Sequence, residues 1–156
     1  MKHTHPEFRA RVKDGYNVVV AGSAFGCGSS RENAVSALLG TGVIAVVAKS
    51  FAFIYGRNQP NLGLLGITIT EETFYEAAVD GVDITIDLGV GKVCVAGQEW
   101  EFKLSLMERD LIEVGGITGA FRKFGKRLFE VMCAPKGEVK VTSKVDECGA
   151  GEELQW

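Results

Sequence analysis

The stretch Gly22-Ser23-Ala24-Phe25-Gly26-Cys27-Gly28-Ser29-Ser30-Arg31-Glu32-Asn33 constrains this chain more than any other. It follows an apolar run at 18–21 that reads as a buried strand, and it precedes residues 34–39, which read as the start of a helix. A glycine-rich turn therefore carries two adjacent serines and an arginine to a helix N-terminus. The unpaired amides and the positive dipole end there favour an anionic ligand. Arg31 adds a fixed fork of donors suited to a carboxylate or a phosphate. Elementary physics thus predicts an anion site holding two hydroxyls. On spacing alone, the same residues also suit a helix cap with a structural ion pair from Arg31 to Glu32 or another acid.

The flanking pattern predicts the scaffold. Residues 43–48 are apolar without alternation, so both faces of that strand are expected to be buried. Strand, helix and strand within about 30 residues make a βαβ unit with parallel strands. Ser50 is expected to cap a short helix over 51–55. Residues 56–61 read as a polar break, 64–69 as another strand, and 70–79 as a helix stopped by Asp80-Gly81. From 82 to 88 apolar and polar residues alternate, the mark of a half-exposed antiparallel strand, and strands at 93–96 and 99–104 complete a meander. Helices are expected over 107–114 and 118–132, broken by Gly115-Gly116 and ended by Pro135. Residues 8–13 are mixed and charged and suggest no element. The expectation is one mixed α/β domain over 1–135, with parallel and antiparallel strands and flanking helices, then a polar tail over 136–156.

Composition narrows the function. A net charge of −3, from 17 basic and 20 acidic residues, argues against general nucleic-acid binding. The basic cluster Arg122, Lys123, Lys126 and Arg127 reads as a solvated helix face. No apolar run approaches the ~20 residues of a membrane helix, and the N-terminus lacks a signal-peptide core. The four cysteines, Cys27, Cys94, Cys133 and Cys148, show no metal-ligand spacing, so no metal site is expected on this chain. They suggest a reducing, cytoplasmic setting.

Position tests exclude three common glycine-rich motifs. A dinucleotide fingerprint needs Gly where Arg31 stands, and a hydrolase elbow around Ser30 needs Gly where Glu32 stands. A phosphate-loop NTPase needs Gly-Lys followed by Ser or Thr, which is absent. The two histidines, His3 and His5, lie at the terminus and offer no triad base.

What remains resembles a known signature. Phe25-Gly26-Cys27-Gly28-Ser29-Ser30-Arg31-Glu32 is similar to the Gly-Ser-Ser-Arg-Glu motif of the aconitase superfamily. More specifically, it resembles the small, swivel-domain subunit of 3-isopropylmalate dehydratases and related homoaconitases. The resemblance continues through Ala48-Lys49-Ser50-Phe51-Ala52, Ile54-Tyr55-Gly56-Arg57-Asn58, Asn61-Leu62-Gly63-Leu64 and Leu111-Ile112-Glu113-Val114-Gly115-Gly116. It implies a single swivelling β/β/α-type domain. It also implies a large partner subunit holding a [4Fe–4S] cluster, with no cofactor on this chain. The implied reaction removes water from a hydroxy di- or tricarboxylic acid and returns it at the neighbouring carbon, the iron acting as Lewis acid.

By resemblance, Ser29 matches the serine that acts as base, Ser30 the neighbour that stabilises it, and Arg31 the carboxylate-binding arginine. Gly28 and Cys27 stand beside them as substrate-side residues, and Cys27 is expected to be small and buried. Two features depart from the family. Asn33 stands where histidine is usual and cannot take up a charge. An upstream family segment, carrying a strand and a substrate-contacting loop, is expected to be missing. The substrate's side chain stays open among isopropylmalate, homocitrate and citrate types, and so does a swivel-fold binding or assembly module that has lost the chemistry. Lys49, Arg57 and Asn58 suit either a cleft or the surface. Phe121, Phe124, Leu128 and Phe129 read as core or a partner-facing stripe.

Overall fold

The computed structural model describes residues 5–28 and 30–133. A short helix α1 (Phe8–Lys13) leads into β1 (Val18–Ala21), and α2 (Asn33–Leu39) returns the chain to β2 (Ala45–Ala48). Helix α3 (Phe53–Leu62) then leads to β3 (Leu65–Thr68), and α4 (Glu72–Ala77) follows. The strands β1, β2 and β3 form a parallel sheet in that order, with Val18 opposite Ala45 and Ala45 opposite Leu65. Next come β4 (Ile84–Asp87), β5 (Lys92–Val95) and β6 (Gln98–Glu101), an antiparallel sheet in chain order. The helices α5 (Leu106–Glu113), α6 (Gly116–Phe124) and α7 (Leu128–Cys133) complete the described chain, with a 3-10 turn at Gly125–Arg127. The mixed α/β reading holds, as a parallel and an antiparallel sheet with helices around them.

Two cores explain the pattern of apolar residues. Ala45, Val47, Leu65 and Ile67 of the parallel sheet pack with Val93, Val95 and Trp100 of the antiparallel sheet, so one core lies between the sheets. Val46 enters a second cluster with Val35, Leu38, Tyr55 and Leu64. Strand β2 is therefore buried on both faces, which is why its sequence does not alternate. In β4, Ile84 and Ile86 pack inward while Thr85 and Asp87 face solvent, as the period of two requires. Phe74 of α4 is fully buried, edge-on to Trp100 with ring centroids 5.3 Å apart.

The structure departs from the sequence pattern in several places. Residues 8–13 form α1, which turns Phe8 and Val12 towards the second apolar cluster, a single i, i+4 pair too short to read as a period. The expected polar break at 56–61 is instead the body of α3, with Pro60 inside it. The stop comes at Gly63, which is left-handed at φ 83°, while the amides of Gly63 and Leu64 donate to the carbonyls of Pro60 and Gln59. Pro60 has no amide hydrogen, so it donates no helical bond to the Gly56 carbonyl. The last helical stretch is interrupted at Gly125 rather than running through. Helix α5 starts on a capping box: Ser105 Oγ accepts from the Glu108 amide, and Glu108 accepts from the Ser105 amide at 2.8 Å.

Phe74 joins the two sheets, so Phe74→Ala should cost about 3–5 kcal/mol of unfolding free energy. Denaturant titration checks this, and a loss under about 1 kcal/mol, as at a surface site, contradicts the shared core.

Candidate active site in the glycine-rich loop

The loop from Gly22 to Glu32 leaves the C-terminal end of β1 and enters α2. It lies beside the segment leaving β2, because those two strands are parallel and end in register at Ala21 and Ala48. The Lys49 amide donates to the Gly22 carbonyl at 3.3 Å, the Phe25 amide to the Ser50 carbonyl at 2.9 Å, and the Ala52 amide to the Phe25 carbonyl at 2.9 Å. Phe25 and Phe51 form an isolated parallel bridge. The expected cap at Ser50 is absent: Ala52 occupies the N-cap position of α3 with no side-chain cap. Ser50 Oγ instead accepts from the Ala24 amide at 2.8 Å.

The loop's backbone is bent twice. Ala24 is left-handed at φ 56° and Gly26 at φ 85°. A Cβ on Gly26 would overlap the ring of Tyr55, so only glycine fits. Tyr55 is 2% exposed and anchors an aromatic cluster beneath the loop. Phe25 meets it edge-on at 5.3 Å, and Phe51 stacks on it at 6.2 Å. The Tyr55 hydroxyl is buried without a hydrogen-bond partner among the described residues, and burial pushes its pKa up to about 12.

Above this base, Gly26, Cys27, Gly28 and Ser30 line an open depression of about 470 Å³ together with Ala52, Phe53 and Ile54. Ser30 and Arg31 are exposed, and α2 begins two residues after Arg31, at Asn33. Ser29 lies outside the described residues. Cys27 corrects the sequence reading: it is exposed rather than buried, because the turn after Ala24, with the Cys27 amide donating to the Ala24 carbonyl at 3.2 Å, carries it onto the rim. Phe53 is 72% exposed and Ile54 45% exposed, so one wall of the depression is apolar and open.

The other candidate residues separate by their contacts. Lys49 pairs with both oxygens of Glu72 and lies over the Tyr75 ring, so it acts as a brace between β2 and α4. The Arg57 guanidinium stacks on Phe53 at 4.3 Å, next to the depression. Asn58 is half-buried, and Asn33 is exposed at the first residue of α2. His3 lies outside the described residues, and His5 is exposed at their start. Phe121 and Phe129 are exposed, whereas Phe124 and Leu128 are half-buried. Two larger cavities, about 870 Å³ beside β1 and residues 78–85 and about 560 Å³ between α3 and α5, have no described loop residue in their lining. Among the described residues no group of three His, Cys, Asp or Glu is placed to hold a metal ion. Sequence reasoning missed Ser50 and Tyr55 as loop supports. Their only signal was proximity in the pattern, an apolar helix start directly after β2.

Comparison with known proteins gives a consistent picture. The aconitase C-terminal domain family matches residues 3–72. The chain is 39% identical to a methanogen homoaconitase small subunit of Methanothermobacter thermautotrophicus, over 79% of this chain and 71% of that protein. It is 50% identical to a 3-isopropylmalate dehydratase large subunit of Glarea lozoyensis over 90% of this chain, which is 16% of that protein's length. The chain thus spans about one-sixth of that longer relative. A crystal structure of a 3-isopropylmalate dehydratase from Methanocaldococcus jannaschii superposes with a TM-score of 0.66 at 35% identity, covering 81% of this chain and 73% of that one.

Gly26→Ala should lose about 2–4 kcal/mol, from a left-handed backbone bearing a Cβ and from overlap with Tyr55. A calorimetric scan that shows no loss contradicts the packing. Tyr55→Phe, by contrast, removes an orphaned hydroxyl and should leave stability equal or about 1 kcal/mol higher at neutral pH. Burial raises the Tyr55 pKa above its ordinary value of 10, so the unfolded chain ionises first and stability falls as the pH rises from 10 towards about 12. Unfolding curves across that alkaline window should be flatter for Tyr55→Phe than for the parent, and identical curves contradict the burial of the phenol.

Proposed function

Because the chain belongs to the aconitase C-terminal domain family, we propose that it is the small, swivelling component of a hydro-lyase of the isopropylmalate dehydratase type. The reaction removes water from a hydroxy di- or tricarboxylic acid and returns it at the adjacent carbon. The observation that supports this reading is the loop itself: Cys27, Gly28 and Ser30 face an open depression, with Arg31 exposed at the entry to α2. A depression open on one side suits a site that a second polypeptide closes.

In this reading Ser29 takes the proton from the substrate carbon, as an alkoxide. A serine hydroxyl is a poor base unless its anion is stabilised, and loop amides together with the Arg31 charge supply that stabilisation. Ser30 donates a hydrogen bond that holds the reacting serine. Arg31 grips a substrate carboxylate through its fork of donors. Gly28 lets the backbone approach the acid closely, and Cys27 shapes the rim.

The described residues do not fit a [4Fe–4S] cluster. Cys27, Cys94 and Cys133 stand on a loop, a strand and a terminal helix, whereas a cluster takes about four converging thiolates. The resemblance to small subunits supports assigning the cluster to a larger partner. Asn33 favours a second reading, a swivel-fold binding module without turnover, because it carries no titratable group where the family has histidine.

Reconstitution with a cluster-bearing large subunit decides between them. Hydration of an unsaturated diacid is expected, with Ser29→Ala lowering kcat by about 10²–10⁴-fold. Arg31→Lys should raise KM by about tenfold, since it keeps the charge and loses the fork. A complex that forms and hydrates no unsaturated diacid contradicts the catalytic reading and supports the binding module.

A further inference from the structure

We propose that Ser50 is a positioning residue for the glycine-rich loop; this inference rests on the reading of that loop as the reacting site. Four hydrogen bonds join residues 22–25 to residues 49–52. Three of them are backbone to backbone and independent of residue type. The fourth, from the Ala24 amide to Ser50 Oγ, is made by a side chain. Residue 50 is thus the position at which sequence controls this seam.

The bond falls where the backbone most needs support. Ala24 is left-handed, a conformation that a Cβ disfavours and that persists when neighbouring contacts over-determine it. Ser50 holds residue 24 from both sides, its hydroxyl on the Ala24 amide and its carbonyl on the Phe25 amide. The next residue, Gly26, turns again and seats on Tyr55, and the lining of the depression runs from there through Cys27 and Gly28 to Ser30. A shift at Ala24 is carried along this short stretch of chain to Ser30. Such shifts matter, because a 1 Å misplacement can cost about 100-fold in rate. Ser50 touches no reacting atom in this account. It fixes the bend that presents them.

Two readouts test this on the full chain and on its reconstituted complex. In Ser50→Ala, exchange of the Ala24 amide in the isolated chain should quicken by about tenfold, with the melting temperature held. In the complex, kcat should fall by about tenfold with little change in KM, because proton transfer depends more steeply on distance than charge attraction does. Ser50→Thr keeps the hydroxyl and should restore both readouts. Ala24→Gly, placed on Ser50→Ala, should recover part of kcat, because glycine adopts the left-handed bend freely. Unchanged Ala24 exchange overturns the proposal whatever the turnover shows. Faster exchange with unchanged kcat also overturns it and leaves the proposed reaction standing. If no variant, parent included, turns over, the proposed function falls, and amide exchange alone decides whether Ser50 positions the loop.

Discussion

The parallel pairing of β1 with β2 is the constraint from which the site follows. The two strands end in register, so the segments that leave them run side by side and stay hydrogen-bonded past the sheet. The bridge between Phe25 and Phe51 is the last rung of that pairing. Ligands of open α/β sheets bind beyond the carboxyl ends of the strands, and the glycine-rich loop occupies that edge. Without the buried β2 the loop has no neighbour to lie against. The continuous apolar run at 43–48 thus matters for the site as well as for the core.

The loop is held in place at a local cost. Ala24 takes a disfavoured bend, and the Tyr55 hydroxyl is buried without a partner among the described residues. Both features lie within a few residues of the depression, where such strain is commonly found. What offsets them is aromatic packing among Phe25, Phe51 and Tyr55, together with the seam to residues 49–52. The pairing of Lys49 with Glu72 braces the same end of β2 against α4. The antiparallel sheet contributes from behind, since its inward valines and Trp100 cover the opposite face of the parallel sheet.

Much of this was legible in the residues because burial writes itself into spacing. The continuous run at 43–48 announced a strand buried twice, which holds over Ala45–Ala48 while Ile44 is exposed, and the alternation at 82–88 announced one buried once. The loop between a strand and a helix was legible for the same reason. Helix α1 was not, since six residues with only Phe8 and Val12 turned inward are too few to establish a period. Helix α3 hid because its buried residues, Tyr55 and Gln59, are themselves polar, and the Gly56 and Pro60 inside it imitate a break. Ser50 reads as a cap in sequence and becomes a loop tie only when β1 and β2 lie side by side. Cys27 reads as buried because small thiols usually are, yet two left-handed bends place it on the rim.

In the proposed reaction, the face bearing Cys27, Gly28, Ser30 and Arg31 is covered by a partner and a hydroxy acid during turnover. Alkylation of the exposed thiols measures this directly. Cys27 should react readily in the isolated chain and slow by about tenfold or more in the complex with a large subunit and a hydroxy diacid, while exposed Cys133 serves as the internal comparison. A Cys27 that reacts equally fast in the isolated chain and in an active complex would place the chemistry elsewhere and contradict the account.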